Sequence, residues 1–368
     1  MENSDLGAAR LTVRLGAVAA NYRQFQRRAA PAAVAGVVKA DAYGLGTEPV
    51  VRTLREAGCD TFFVARVQEG IALRPLLPQA RIFVLDGAQA ETASALLAHR
   101  LVPVLNSLEQ IEAWSAAARA RNTKLECAIH IDTGMNRLGL PPDELATLST
   151  DANKRLRDIE IVLWMSHLAC GDDCKSPMNA AQLERFRAAL AMLPSAPASL
   201  AASAGVLLGK EYHFDLVRPG MGVYGGNPCT GMANPFAVAA VLTAPILQLR
   251  RVDTGESVGY GATFRAGRRS TLATIGLGYA DGLMRAIGNK GQGAIAGMRA
   301  PIVGRLSMDL VTLDVTDVPP EAVRIGAEVE FLGDTISLDE FAALAGTANY
   351  EILTRLGSRM ARHYEPAA

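Results

Sequence analysis

The sequence predicts an α/β chain: an N-terminal (β/α)8 barrel of the TIM type followed by a C-terminal, mainly β domain. Three observations carry that prediction. From residue 10 to residue 232, short continuous apolar runs alternate with longer amphipathic ones, as buried parallel strands and their covering helices do. Lys39, Asp132, Arg137, His167, Ser203 and Arg218 all stand at or just past the C-terminal ends of those runs, where a barrel gathers its active-site groups. After NPCTGMANP (227–235), rich in Gly, Pro and Asn, the helical runs give way to β-rich segments between Gly-rich turns.

The elements follow in order. Leu15, Val18, Tyr22 and Phe25 share one helical face, and VAGVVKA (34–40) then reads as a buried strand. Further strands are expected at TFFVA (61–65), RIFVLDG (81–87), LVPVLN (101–106), KLECAIHID (124–132), IEIVLWMSHLA (159–169), PASLAAS (197–203) and FDLVRPGMGVYG (214–225). These make up the eight that a closed barrel needs. TEPVVRTLREAG (47–58) and SLEQIEAWSAAARAR (107–121) are helical segments between them. A doubly wound sheet fits the same alternation, and the polar residues at the strand ends decide for the barrel.

The second domain, residues 233–368, draws its strands from VAAVLTAPILQLRRV (238–252), RRSTLATIGLGYADG (268–282), APIVGRLSMDLVTLDV (300–315) and AEVEFLGD (327–334). SLDEFAALAG (337–346) opens with a Ser-x-x-Glu capping box, and NYEILTRLGSRMARHY (349–364) is expected to close the chain as a helix. Residues 1–9 are expected to pack with this domain.

Composition limits the function. The 368 residues carry 37 acidic and 37 basic side chains, a balance that gives no electrostatic reason for nucleic acid or a lipid surface as partner. MENSDLGAAR lacks the basic and apolar regions of a secretory signal, and no apolar stretch reaches the length of a membrane span. Five irregularly spaced cysteines suit a reducing compartment, so a cytoplasmic protein is expected. Cys170 and Cys174 flank Gly-Asp-Asp without a completed Cys/His set, and no metal is expected.

Several residues could carry chemistry. A lysine at a barrel mouth, such as Lys39, loses basicity on burial and becomes a nucleophile or base able to form a Schiff base. Tyr43 follows it, and Gly44 and Gly46 would let backbone approach a phosphate-bearing aldehyde closely. Arg218, in VRPGMGVYG, can only donate hydrogen bonds, and Gly220 with the Met221 backbone could cradle a phosphate; taken singly, a plain turn with a surface arginine is the better reading of this stretch. His167 is either a core histidine or a bridge from Arg218 to another group. Arg137 in DTGMNRLG is either a loop arginine or a clamp for a carboxylate. Tyr260, Tyr279, Arg305, Met308 and Asp309 lie on β-domain segments that singly mean little.

Together VVKADAYGLG, DTGMNRLG, SHLA, VRPGMGVYG, VGYGATF, GYADG, GRLSMD and NYEI resemble the alanine racemase family in order and spacing, over nearly the whole chain. The resemblance implies pyridoxal 5′-phosphate as cofactor, the two-domain arrangement, a head-to-tail homodimer with shared active sites, and interconversion of L- and D-alanine, either supplying D-alanine for peptidoglycan or catabolising it. By that resemblance Lys39 would hold the cofactor as a Schiff base. Tyr43, Ser203, Gly220, Met221 and Tyr350 would hold its phosphate, and Arg218 would donate to its ring nitrogen. Arg137 would face the substrate carboxylate. Tyr260, Met308 and Asp309 would enter from the partner subunit, while Asp172, Tyr279, Arg285 and Arg305 would line the entrance. Racemisation needs a proton group on each face of a planar intermediate, and Lys39 and Tyr260 would fill those places, lysine for the D-alanine proton and tyrosine for the L-alanine proton. His167, facing Arg218, would help Tyr260 to ionise.

The chain departs from the family at His130, where many members carry a carbamylated lysine, at Leu45, where many have histidine, and at Ser307, where cysteine is common. Alternatives are a barrel-fold decarboxylase, which would want an acidic partner for the ring nitrogen in place of Arg218, a racemase of broader or serine preference, and a single-domain cofactor carrier. The last would end soon after VRPG, whereas this chain continues through Tyr260.

Overall fold

The computed structural model describes residues 9–366. Residues 1–8, expected to pack with the β domain, lie outside the described residues. Seven strands, Gly36–Val37, Thr61–Val64, Arg81–Val84, Val102–Leu105, Leu125–His130, Ile159–Met165 and Ala198–Ser199, pair in parallel in chain order. An eighth, Leu216–Val217, pairs in parallel with Ala33–Val34, directly before the first of them. Arg218 N–H donates to Ala201 O at 2.9 Å and Val37 N–H to Pro219 O at 3.3 Å, so the eighth strand joins both ends and the barrel closes. Apolar residues fill it: Phe63, Phe83 and Val104 are buried, and Phe63 stacks on Phe83. Outside, the helix Leu15–Ala29 buries Val18, Tyr22 and Phe25, and the Tyr22 hydroxyl ties it to Val34 O at 2.7 Å. TEPVVRTLREAG and SLEQIEAWSAAARAR form the helices Thr47–Glu56 and Leu108–Arg121.

The second sheet is built on the long strand Ala240–Val252, which pairs antiparallel with Ser270–Ile275 and Glu328–Leu332. It also pairs with Arg10–Arg14, so residues 10–14, counted with the barrel in the sequence reading, hydrogen-bond into the β sheet instead. Their period of two buries Leu11 and Val13 on one face. A second difference lies at the C-terminus. The expected closing helix spans only Asn349–Arg355, and the chain then returns as the strand Ala361–Glu365, parallel to Arg10–Arg14. Leu356 leaves helical geometry, and the Gly357 N–H is taken by Asp281 O at 2.9 Å, which ends the helical ladder. Ser337 caps the helix Leu338–Ala345 as expected, but the Glu340 carboxylate pairs with Arg299 rather than turning back to the cap.

Directly after Lys39 the backbone does something that L-residues avoid. Ala40, Asp41, Ala42 and Tyr43 all lie in the left-handed region, with φ of 53°, 55°, 51° and 57°. Such a residue costs roughly 1–2 kcal/mol, so the run holds only because its surroundings enforce it. Ala40 N–H donates to Glu69 Oε1 at 2.7 Å, and Asp41 Oδ1 accepts from the Thr47 amide and hydroxyl at 2.7 and 2.9 Å. The amides of Gly44 and Gly46 fold back on Asp41 O at 3.0 Å. These glycines do allow a close approach, but of the C-terminal segment rather than of a ligand. A Cβ at Gly44 would stand 2.4 Å from Leu353 O, and one at Gly46 would stand 2.1 Å from the Tyr364 hydroxyl.

The substitution Gly44→Ala is therefore expected to lower stability by more than about 2 kcal/mol, through a backbone clash added to left-handed strain. Gly297→Ala, at φ 79° with open space around it, should cost only about 1 kcal/mol. Denaturation midpoints compare the two, and equal losses would remove the packing argument.

Candidate active site

A cavity of about 400 Å³ opens at the C-terminal ends of the barrel strands. Lys39, Tyr43, Arg137, His167, Ser203, Arg218, Gly220, Met221 and Tyr350, scattered through the sequence, all line it. Among the described residues on its wall, Asp86 is the one carboxylate. Lys39 is half-buried, and its amine is less basic than an ordinary lysine. Burial is the main cause and the Arg137 charge the next, opposed by Glu69 and Asp86.

Arg218 is 4% exposed and held from several sides. One terminal nitrogen donates to the Ser199 hydroxyl, which itself donates to Leu216 O. The other donates to Ser166 O at 2.7 Å and reaches His167 Nδ1 at 3.5 Å. The guanidinium plane faces Phe63, with its carbon 5.9 Å from the ring centroid. No carboxylate pairs with it among the described residues, and burial alone lowers its pKa to about 10, which leaves it cationic. Since guanidinium only donates, His167 Nδ1 must accept, which leaves the proton on Nε2. Burial and the Arg218 charge hold the His167 pKa at about 3, so the ring is neutral.

A group of neutral donors gathers at another part of the wall. The Ser203 hydroxyl accepts from the amides of Gly220 and Gly222 at 2.9 and 3.3 Å. The Tyr43 ring packs at a tilt against Tyr224 and Tyr350, and a Cβ at Gly220 would lie 2.3 Å from its hydroxyl. That glycine is needed for the close approach of hydroxyl and backbone. Hydroxyls of Ser203, Tyr43 and Tyr350 beside an unobstructed backbone are a donor set for a phosphate. A lysine of lowered basicity, a donating arginine and this cradle together fit an aldehyde that carries a phosphate and a basic ring nitrogen.

The remaining sequence candidates lie outside the cavity. Tyr260, on the short turn Tyr260–Ala262 of the β domain, is 72% exposed. Met308 and Tyr279 are also exposed, and the Tyr279 amide bonds to Ser307 O. Asp309 pairs with Arg359 at 2.8 Å. Arg285 and Arg305 are exposed, and Asp172 lies beside Tyr350 in a neighbouring recess. The sequence reading missed Ser199 and Asn106, which hold Arg218 and His130, and Glu69. Asn106 stands just past the strand Val102–Leu105, the same signal that marked Lys39. Glu69 has only its place three residues after Arg66, where it accepts the amides of Ala65 and Arg66 at 2.8 and 3.1 Å.

The neutral histidines give a pH dependence. Burial first, and Arg218 next, lower the pKa of His130 to about 4 and that of His167 to about 3. A free histidine titrates near pH 6.5, so below that pH the unfolded chain takes up protons that the native state does not. Stability should be full above about pH 6.5 and fall as pH drops toward 4, with each ring contributing on the order of 2 kcal/mol at pH 5. His167→Gln should flatten the fall of the denaturation midpoint between pH 6.5 and 4.5, and an unchanged slope would contradict the neutral assignment.

Comparison with known proteins agrees with this geometry. Residues 13–228 match the family model "Alanine racemase, N-terminal domain", and residues 239–364 match "Alanine racemase, C-terminal domain". The chain is 50% identical over 366 residues to an alanine racemase of Rhodospirillum rubrum, covering 99% of this chain and 98% of that protein. It is 46% identical to a biosynthetic alanine racemase of Agrobacterium fabrum, covering 96% of this chain and 93% of the relative. The crystal structure of alanine racemase from Bartonella henselae with covalently bound pyridoxal phosphate superposes with a TM-score of 0.94 at 39% identity, over 97% of this chain and 99% of that one. The chain belongs to the alanine racemase family.

Proposed function

We propose that this protein interconverts L-alanine and D-alanine with pyridoxal 5′-phosphate held in the barrel cavity, and that it does so as a homodimer whose sites are shared. The observation that carries the reading is the wall of that cavity: Lys39, Arg218 and the Ser203–Gly220–Tyr43 cradle converge on it. When bound, the cofactor supplies a carbonyl that captures the substrate amine and a conjugated ring that acidifies the Cα–H bond.

The chain's own residues do the rest. Ser203, the backbone at Gly220 and Met221, Tyr43 and Tyr350 hold the phosphate. Arg218 donates to the ring nitrogen, and because it cannot give up its proton, that nitrogen stays unprotonated. A decarboxylase would want an acid there, and Arg218 is bound instead to Ser199 and to backbone carbonyls. Arg137 meets the substrate carboxylate. Lys39 Nζ removes or returns the Cα proton on one face of the substrate, its lowered basicity suiting it to both tasks.

The opposite face needs a second proton group, and Tyr260 stands on an exposed turn beside segments that also expose Met308 and Leu310. A second copy docked there brings the partner's Tyr260 to this cavity, with the partner's Met308 and Asp309 beside it. His167, carrying its proton on Nε2, then donates to the phenolic oxygen and stabilises its ionised form. Asp172, Tyr279, Arg285 and Arg305 line the way in. The barrel residues up to 232 bind the cofactor together with Tyr350, and residues 233–368 also carry the groups that complete the neighbouring site.

D-Alanine formation from L-alanine, followed with the absorbance of the covalently held cofactor, tests this. Lys39→Ala should abolish both activity and that absorbance. Tyr260→Phe should keep the absorbance and lose about 10²–10⁴-fold in rate, the usual worth of a general acid or base. Covalent cofactor in Lys39→Ala would refute the lysine assignment, and full activity in Tyr260→Phe would refute the two-base scheme.

A further inference from the structure

The helix Pro177–Ala191 covers the barrel with polar residues on its buried side, where a covering helix ordinarily turns only apolar ones inward. Asn179 and Gln182 stand on one helical face, buried beside Leu183 and Phe186, and Gln182 has no exposed surface. Burying an amide costs free energy unless its hydrogen bonds are made, so the partners of these two say what they are for.

The partners of Gln182 lie at the barrel mouth. The strand Ile159–Met165 is followed by Ser166, whose N–H still donates to Ser199 O at 3.0 Å. Beyond Ser166 the backbone has left the sheet. There Gln182 Oε1 accepts from the Ala169 N–H at 2.7 Å, and Nε2 donates to His167 O and to Thr133 Oγ1, each at 3.0 Å. The amide cannot be turned over, because Oε1 would then face a carbonyl and Nε2 an N–H. No other group bonds to His167 O or to the Ala169 N–H among the described residues. From inside the cavity the ring of His167 is held only by Arg218, at 3.5 Å from Nδ1, longer than an ordinary hydrogen bond. The place of the ring thus depends on its backbone, and that backbone depends on Gln182. Asn179, one turn earlier, holds Asp173 O at 2.9 Å instead.

We infer that Gln182 is a positioning residue for His167: by gripping His167 O and the Ala169 N–H, it sets where His167 Nε2 meets the phenolic oxygen of the partner's Tyr260. This rests on the reading of Tyr260 as the second proton group. A neutral amide does the work without disturbing the ring. An acid in its place would favour a protonated imidazole, which could no longer accept from Arg218.

The test follows racemisation by the holoenzyme from L-alanine and from D-alanine, each with hydrogen or deuterium at Cα. Gln182→Met is close to glutamine in size and loses all three bonds. It should keep the absorbance of the covalently held cofactor and lower kcat/KM about tenfold. The fall must be equal in both directions, because the enantiomers have equal free energy. The isotope effects should part. With only the tyrosine-side transfer slowed, cleavage of the Cα bond of L-alanine becomes more limiting, and its isotope effect rises. Cleavage of the D-alanine bond by Lys39 becomes less limiting, and its effect falls toward unity. Asn179→Ala, on the same helical face, should move neither. Isotope effects that shift together or not at all in Gln182→Met overturn the inference, as does the same parting in Asn179→Ala or a loss of the cofactor absorbance. Should Gln182→Met not fold, Gln182→Glu, which keeps the acceptor and loses both donors, is read in the same way. A wild type that does not racemise alanine would overturn the function proposed above as well, whereas an active Gln182→Met with wild-type isotope effects overturns this inference alone.

Discussion

Four consecutive left-handed residues follow Lys39, and the geometry of the site depends on them. The run Ala40–Tyr43 turns the chain within one residue of Lys39, so that the amine and the Tyr43 hydroxyl both reach one cavity although only three residues stand between them. No local preference would choose this path. It is imposed by Glu69 from the next strand-to-helix connection, by Asp41 bracing Thr47, and by Leu353 and Tyr364 packed against Gly44 and Gly46. The strain after Lys39 is thus borne by the C-terminal segment, which returns as the strand Ala361–Glu365 beside Arg10–Arg14. Arg362 adds a hydrogen bond to Gly44 O at 3.1 Å. The β domain consequently steadies the lysine of the barrel to which it is joined, besides carrying Tyr260.

The charges on the wall follow a single logic. Arg218 stays cationic although buried, and backbone carbonyls and Ser199, rather than an acid, satisfy it. Burial first, and then the Arg218 charge that no carboxylate offsets, push His167 and His130 to low pKa, and Lys39 is made less basic by burial and by Arg137. Each of these groups is left free to donate or accept where an anionic ligand and a transferred proton require it. The positive wall suits a ligand that brings its own negative charge, as a phosphate and a substrate carboxylate do.

Much of this was legible in the sequence, for physical reasons. Strands buried on both faces must be apolar throughout, so TFFVA or LVPVLN announce themselves, and a polar residue that ends such a run marks the barrel mouth. Lys39, His167, Ser203 and Arg218 were found that way. What stayed hidden depends on contacts between distant residues. The Arg218–Ser199 and His130–Asn106 bonds span 19 and 24 positions and leave no periodic trace. Residues 10–14 and 361–365 are short strands that pair with each other, the first also with Ala240–Val252, and neither alone outweighs the helical pattern next to it. Gly44 and Gly46 were rightly read as sites of close approach, but the approaching group belongs to the chain itself. The place of Tyr260 rested on family resemblance, because no contact within one chain brings it to Lys39.

The central claim is that each cavity is completed by the neighbouring subunit, and mixing two inactive variants tests it most directly. Lys39→Ala and Tyr260→Phe, dissociated together in equal amounts and reassociated, form hybrids in which one site carries both substitutions and the other carries neither. Random pairing makes about half of the dimers hybrid with one intact site in two, so about a quarter of wild-type activity should appear from two inactive proteins. If the mixture stays inactive while hybrid dimers are shown to form, both groups act within one chain and the shared site is refuted.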